Sequence, residues 1–474
     1  MARIILFILL LLFTIGYYFY SPSYMDTSSI GLLLSIAALA IIVFFTKKEK
    51  EINLKKQYLK HSTLVIFGFV VVHFQYHIDF LLGYINNFYP YIWVQNDIVV
   101  KALAVSVSGL LCFLIGYLWY KKKKSFQNSK QENNKVISIK LLSYLAAVLL
   151  AAYFYYANPL YLMGFYGAED IGAEAAYIIL VFKTVVFAVL IQTARNFKIK
   201  EIKFTNFLSY AKSNSLLINI LIGVYLTSVL ISGDRGPIIF FGIAYFGNYL
   251  FVSNKKLNIY KTVGILVLGA AFITILGKVR SLDRNLSFSE RFSTSLQMDS
   301  RFETKSILPQ TQELATSIRA LHHTVNHIPN QHDYLYGRFQ LQQALSIIPF
   351  GNSFVQLIFE DNSYKYRSSA HFITWIILGD NPYMGHGSSV TSDFYFDFGL
   401  LGVLVGMFIF GYVMRYAEVA MYSQQLPSLF THAFFIVFLS SAIYISRSTF
   451  LIEMKAVVWT FFILFINQKF INRS

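Results

Sequence analysis

Five residues, Gly233-Asp234-Arg235-Gly236-Pro237, separate two apolar runs at 216–232 and 238–252. Arg235 is the first residue here with chemistry to offer. A guanidinium at membrane depth is costly unless paired, so it marks a functional site by default. Pro237 suits the first turn of the following helix, because its missing N–H would be unpaired there anyway. Asp234 stands where a side chain can bind the free first-turn amides. Those amides together with Arg235 make an anion site. The plain alternative is an Asp234–Arg235 ion pair that closes a tight turn. A helix from Pro237 to Ser253 spans about 25 Å at 1.5 Å per residue, less than the roughly 30 Å hydrocarbon core, so the turn falls at or just below the interface.

A second group is "GHGSSVTSDFYFDFGLLGVLVGMFIFGY", 385–412. His386 lies in the run that enters the helix. Asp393 and Asp397 are four apart and share one helix face. Two close carboxylates raise one another's pKa, and one then suits general-base work. Asp397 is expected to cap or solvate the helix start. A third group, "SRSTFLIEMK" at 446–455, carries Arg447 and Glu453. Arg280 and Arg284 in "KVRSLDR" and Arg338 in "DYLYGRFQ" add cations on the same side. Each alone serves as a structural or headgroup-level charge. Together they suit a diphosphate, since Arg forks match phosphate oxygens and stay charged at any working pH.

Other chemistry is absent from the pattern. His73 and His77 are four apart with no third ligand in view, and intramembrane histidines usually hydrogen-bond within the bundle. The single cysteine, Cys112, lies in an apolar run, so neither a disulfide framework nor a cysteine metal site is expected. No phosphate-cradling GxxxxGK[ST] and no GxGxxG opening a helix occur. No metal and no cofactor is expected.

The elements that must position these groups are membrane helices. Of 474 residues, 56% are hydrophobic and 14% charged, where a soluble chain carries about 25% charged residues. Twelve apolar runs qualify as spans: 3–20, 29–46, 63–85, 98–120, 141–158, 176–194, 216–232, 238–252, 262–279, 398–414, 428–446 and 455–470. The first is read as an uncleaved helix and not a signal peptide. The net charge of +16 alternates along the chain: 47–60 holds six Lys/Arg and 121–140 seven, while 21–28, 86–97 and 159–175 hold none. That is the positive-inside pattern, and it records topology and anionic lipid contact, not a nucleic-acid partner. It puts both termini in the cytoplasm and segment 281–390 outside.

The expected division is therefore 1–280 with nine spans, 281–390 as an extracytoplasmic loop over the site, and 391–474 with three spans. Within the loop, Leu314, Ile318, Leu321, Val325 and Ile328 fall at helical spacing and predict an amphipathic helix on the bundle. His322 and His323 lie off that stripe and are expected to face solvent. "FITWIILG" at 372–379 is too short to span.

Four stretches in this order, "ISGDRGPIIFFGIAYF", "HDYLYGRFQLQQALSIIPF", "GHGSSVTSDFYFDFGLLGVLVGMFIFGY" and "YISRSTFLI", resemble the Wzy-type O-antigen polysaccharide polymerase family over about 216–460. Asp393 stands where that family usually has Glu, which keeps the carboxylate, and His386 where a small residue is common. The resemblance implies an all-α, GT-C-like membrane glycosyltransferase of the bacterial cytoplasmic membrane, with its site on the outer face. Its substrates would be undecaprenyl-diphosphate-linked oligosaccharides, joined en bloc with undecaprenyl diphosphate leaving. A chain-length regulator and the flippase of the same pathway are the expected protein partners. On this reading Arg235, Arg280, Arg338 and Arg447 stabilise the departing diphosphate. Asp393 is the first choice for the base that deprotonates the acceptor hydroxyl, and Glu453 the second. Arg284, Asp234 and His386 complete the expected substrate contacts. Two rivals remain open. An O-antigen ligase shares the reaction logic and the outer loop, and only the motif order disfavours it. A flippase or other transporter would put its charges near the midplane.

Overall fold

The computed structural model describes residues 1–47, 57–86, 90–121, 135–162, 171–232, 234–282, 286, 288–297, 305–348, 351–359 and 363–469. Every regular element among them is helical. The N-terminal part runs α1 (Ala2–Phe19), α2 (Thr27–Phe45), α3 (His61–Leu81), α4 (Pro90–Trp93), α5 (Val99–Trp119), α6 (Lys140–Tyr156), α7 (Pro159–Leu162) and α8 (Ala173–Ile199). Next come α9 (Phe207–Ser213), α10 (Leu216–Ser232), α11 (Gly236–Ser253) and α12 (Ile259–Ser281). Short helices follow: α13 (Phe288–Gln297), α14 (Gln312–Ala315), α15 (Ile318–His327), α16 (Arg338–Ser346), α17 (Gly351–Ile358) and α18 (Ser369–Leu378). Three long ones close the chain, α19 (Val390–Ser423), α20 (Leu429–Ile445) and α21 (Met454–Lys469).

Each of the twelve apolar runs coincides with a helix, and helix length and composition alone account for part of the expected twelve spans. Eight helices among the described residues are long and apolar enough to cross, or nine if α9 and α10, bent by 108°, count as one span. The other four runs form helices one or two residues shorter than the shortest of these. α6, α10 and α20 have 17 residues and α21 has 16, which gives about 25 Å of helix against roughly 30 Å of hydrocarbon.

α5 is the hub. Its residues from Val99 to Tyr117 are almost all buried, and it packs along α19 and α1. At Gly116 and Gly411 a Cβ would strike the backbone oxygens of Phe408 and Phe113. Small residues at such a crossing let two backbones approach, which is how helices gain packing contact in lipid. At one end of this crossing Glu418 is fully buried. It accepts from Tyr117 Oη at 2.5 Å and Ser62 N at 2.8 Å, with Lys60 Nζ at 3.6 Å and Arg415 Nη1 at 3.9 Å. A buried carboxylate persists only when paired and hydrogen-bonded in this way.

α19 breaks at Phe398 and Gly399, the latter at φ +60°. The loop before α16 docks into this break: Leu335 N donates to Phe396 O at 2.9 Å and Tyr336 N to Asp397 O at 3.2 Å. A Cβ on residue 399 would lie 2.8 Å from Tyr334 Oη, so only glycine fits there. Two of the four motifs thus pack on each other.

The expected amphipathic helix is divided. Ile318, Leu321, Val325 and Ile328 are buried, but α15 begins at Ile318, and Leu314 belongs to the separate turn α14. Between them the backbone tightens to i−3 bonds, Ser317 N to Leu314 O at 3.2 Å and Arg319 N to Thr316 O at 3.2 Å, while Thr316 Oγ1 donates to Glu313 O. The solvent-facing expectation for His322 is overturned. Its ring is fully buried, its Nδ1 bonds Ile92 O at 3.1 Å, and it stacks on Trp93 at 5.9 Å. The periodicity of α15 alone gave no sign that α4 covers this face. His323 is partly exposed.

Candidate active site

The α10–α11 turn, α12, α14 and the α20–α21 turn enclose one cavity of about 660 Å³. Its charged lining is Asp234, Arg235, Lys278, Glu313, Arg447 and Glu453. Most of the remaining wall is apolar and lies along α11 and α12, including Ile238, Phe240, Ile243, Ile265 and Phe272. Ile265 and Phe272 are also 42% and 43% exposed. The groove therefore reaches the apolar outer face of the bundle.

Local sequence explains the polar end. Pro237 lies in the first turn of α11, and Arg235 is the residue just before it. Asp234 Oδ1 accepts from Gly236 N at 3.1 Å, which fixes the turn and takes up one free amide. The Arg235 guanidinium then points to the outer segment, where Nη2 meets Glu313 Oε1 at 2.5 Å. Room for it comes from Gly277 on α12, where a Cβ would lie 2.7 Å from Arg235 Nη1. Glu313 is held in place by a tether between the outer segment and α3. Asp79 accepts from Ser306 Oγ at 2.6 Å and Ile307 N at 2.8 Å, and Gln75 Oε1 accepts from Thr311 Oγ1 at 2.6 Å.

Arg447 enters from the α20–α21 turn, its own N–H donating to Tyr444 O at 2.9 Å. Tyr444 stands in the field of Arg235, Arg447, Glu313 and Asp234 together, so these four charges share one neighbourhood. Gly387 packs beside Arg447, with a Cβ position 3.6 Å from Nε. Val390 N donates to Ser446 O at 3.3 Å, joining the start of α19 to the same turn. Glu453, in the turn before α21, is lifted to about 7 by burial, and Lys183 from α8 opposes that rise. Lys183 also feels Asp234, so it underlies both carboxylates.

The remaining expected site residues lie elsewhere. Asp393 is fully buried on α19 and does not line the cavity. Gln340 Nε2 donates to its Oδ2 at 2.7 Å, and Gln343 Nε2 reaches both oxygens at 3.2 Å. Gln343 Oε1 also accepts from Leu451 N at 3.3 Å, so this amide links α19 to the α20–α21 turn. Asp397 neither caps α19 nor faces solvent. Ser389 is the cap, accepting from Ser392 N, while Asp397 is 1% exposed and faces the backbone of Gly337, Phe339 and Gln340 at the start of α16. Arg338 is stacked between Tyr366 at 4.0 Å and Phe359 at 4.5 Å, away from the cavity. His386 is fixed by its N–H donating to Thr374 Oγ1 at 2.9 Å, and burial and Arg319 lower its pKa, which keeps the ring neutral. Arg284 and the Arg280 side chain lie outside the described residues. His73 bonds within the bundle, Nδ1 to Ser106 Oγ and Nε2 to Thr391 Oγ1, both at 3.3 Å. Among the described residues no group of three or more His, Cys, Asp or Glu could hold a metal ion.

Two lining charges escaped the sequence reading. Lys278 begins the very "KVRSLDR" run that drew attention to Arg280, and helical spacing puts the two on different faces. Glu313 flanks the apolar stripe of the outer segment, where only its charge opposite to Arg235 marked it.

No curated protein and no solved structure matches the chain. A family model described as O-antigen polysaccharide polymerase Wzy matches residues 1–471, nearly the whole chain, and the chain therefore belongs to that family of integral membrane polymerases.

Proposed function

We propose that the cavity is where a polyprenyl-diphosphate-linked glycan gives up its lipid. The chain so released from undecaprenyl diphosphate is transferred en bloc to the terminal sugar hydroxyl of a fresh lipid-linked repeat unit. One observation carries this reading: Arg235, Lys278 and Arg447 meet at the head of an apolar groove within a single cavity. Cations and groove match the two ends of a lipid diphosphate. The bond from the anomeric carbon to the phosphate oxygen breaks, and its electron pair leaves on the diphosphate. Guanidiniums held in place before reaction stabilise that charge without reorganising. The acceptor oxygen attacks the same carbon, and its proton passes to a carboxylate. Glu453 is better placed for this than Asp393, because it lines the cavity while both Asp393 oxygens are held by glutamines. Its raised pKa suits a base working near neutral pH.

Residues 281–390 act as the outer cover in this scheme, between 1–280 and 391–474, and Arg280 and Arg284 add charge at the cover's start. Arg338, with its flanking aromatic rings, serves the cover and contacts the glycan. The pattern of basic loops supports a site on the outer face of the bacterial cytoplasmic membrane, with both termini inside. A chain-length regulator and the pathway's flippase are the protein partners.

The test is purified protein supplied with lipid-linked repeat units and neither ATP nor an ion gradient. A ladder of polymer supports the reading; units moved across a bilayer without joining would make it a transporter. Deletion separates the ligase: loss of a polymerase leaves lipid A capped with one unit, and loss of a ligase leaves none capped.

A further inference from the structure

We infer that the opposite end of the bundle carries a second anion site, one that takes a phosphate-bearing group of the inner leaflet. A cavity of about 510 Å³ opens there between the ends of α8, α11 and α19. Four lysines line it, Lys198, Lys203, Lys255 and Lys256, against one glutamate, Glu201. They come from two separate connections, the segment after α8 and the segment after α11. Folding, and not a sequence run, therefore concentrates them.

The position of this cavity is fixed by the helices it shares with the first one. α11 starts at the arginine cavity and ends here after 18 residues, about 27 Å at 1.5 Å per residue. α8 carries Lys183 behind Asp234 and Glu453 and then Lys198 here. The two cavities accordingly lie at opposite interfaces. The basic loops 195–215 and 253–261 belong to this end, the side that the positive-inside pattern assigns to the cytoplasm.

The site is built as well as charged. Its floor is the buried Leu250, Phe251, Val252 and Met421, and Tyr422 forms a wall, its Oη held by Gln57 Nε2 at 3.3 Å. Lys198 Nζ is set by Asn254 Oδ1 at 2.7 Å and Phe251 O at 3.3 Å, and Lys255 Nζ donates to Thr205 O. Lys198 answers a carbonyl at the C-terminal end of α11, where positive charge belongs, and Lys255 ties the α11–α12 connection to the loop before α9. Lys203 and Lys256 add charge at the mouth. A basic recess between helix ends at the cytoplasmic surface, with an apolar floor, is the arrangement that holds an anionic phospholipid headgroup. Soluble phosphate is the other source of the same chemistry. The binding would hold α8 and α11 together at the end remote from the reaction.

The probes are cardiolipin, phosphatidylglycerol, phosphatidylcholine and inorganic phosphate, each titrated onto the full-length protein in detergent and followed by native mass spectrometry. The double variant K203Q/K256Q is expected to retain the anionic lipids roughly thirtyfold less, at about fivefold per lysine charge, with phosphatidylcholine unchanged. Glu201→Gln, which leaves every lysine in place, is expected to retain them more tightly and covers the case of a poorly folded double variant. Protection by inorganic phosphate alone, lost in K203Q/K256Q, would assign the site to a soluble anion. Equal retention of every probe by wild type and both variants would overturn the site. The readout is binding and not polymer, so its failure leaves the reaction at the other interface untouched.

Discussion

Replacing Arg235 by alanine removes a cation that lines the cavity proposed for the reaction. Its side chain is 10% exposed and its Glu313 partner 31% exposed, with 2.5 Å between them. The two consequences differ in size. Glu313 is open enough to rehydrate once alone, so the lost pair costs stability only about 1 kcal/mol, the scale of partly exposed ion pairs. The loss in the transition state is larger. One preorganised donor facing developing charge contributes about 2.7–4 kcal/mol, or roughly a hundred- to a thousandfold in rate. Arg235→Ala should therefore accumulate in the membrane at near wild-type level and make no visible polymer ladder. Cells should show lipid A capped with single units. Arg235→Lys keeps the charge and loses the fork, and should fall between the two. The assay is a polysaccharide gel beside an immunoblot of the same membranes. Long chains of normal abundance from Arg235→Ala at equal protein level would refute the anion role.

Three further outcomes follow from the same geometry. Glu453, lifted to about 7, is protonated below neutrality and carries no base there; the rate with purified substrate should rise as pH increases through about 7 and level off above it, and Glu453→Gln should abolish that rise. Glu313 occupies the place a phosphate oxygen would take, so Glu313→Gln should lower the apparent Kd for undecaprenyl diphosphate about tenfold by removing an internal competitor, read by a binding titration; unchanged or weaker binding would show that Glu313 only positions Arg235. Asp393→Asn should support polymer synthesis because its role is to bind Gln340 and Gln343, whereas Asp393→Ala should lower protein abundance by losing hydrogen bonds to a buried group, about 2–3 kcal/mol; an inactive but abundant Asp393→Asn would restore Asp393 as the base.

The helices were legible because a membrane leaves the backbone little choice. Without water, each apolar segment must satisfy its own amides, so length and hydropathy alone place α1 to α3, α5 and α8. The Asp234–Pro237 turn was legible for a related reason, since cap and proline act within four residues. Convergence was harder. Arg235 and Arg447 are 212 positions apart in sequence, and neither carries a local sign of the other. Arg338 resembled them in type, yet the outer segment folds it between Tyr366 and Phe359. Asp393 and Asp397 were correctly placed on one helix, but spacing did not reveal that α16 would cover both. His322 illustrates the same limit: its burial is decided by Trp93, some 230 residues earlier. Local chemistry was readable wherever the partners were neighbours in the chain, and unreadable where long-range packing chose them.

The most direct measurement is saturable binding of undecaprenyl diphosphate to the purified protein, compared with Arg235→Ala and Arg447→Ala, with a photoreactive polyprenyl analogue to locate the tail. The account predicts that both variants bind at least about tenfold more weakly, at about 1.4 kcal/mol per decade, and that the analogue crosslinks to α11 and α12 beside Ile243 and Phe272. Undiminished binding by both variants, with crosslinks to other helices, would contradict it.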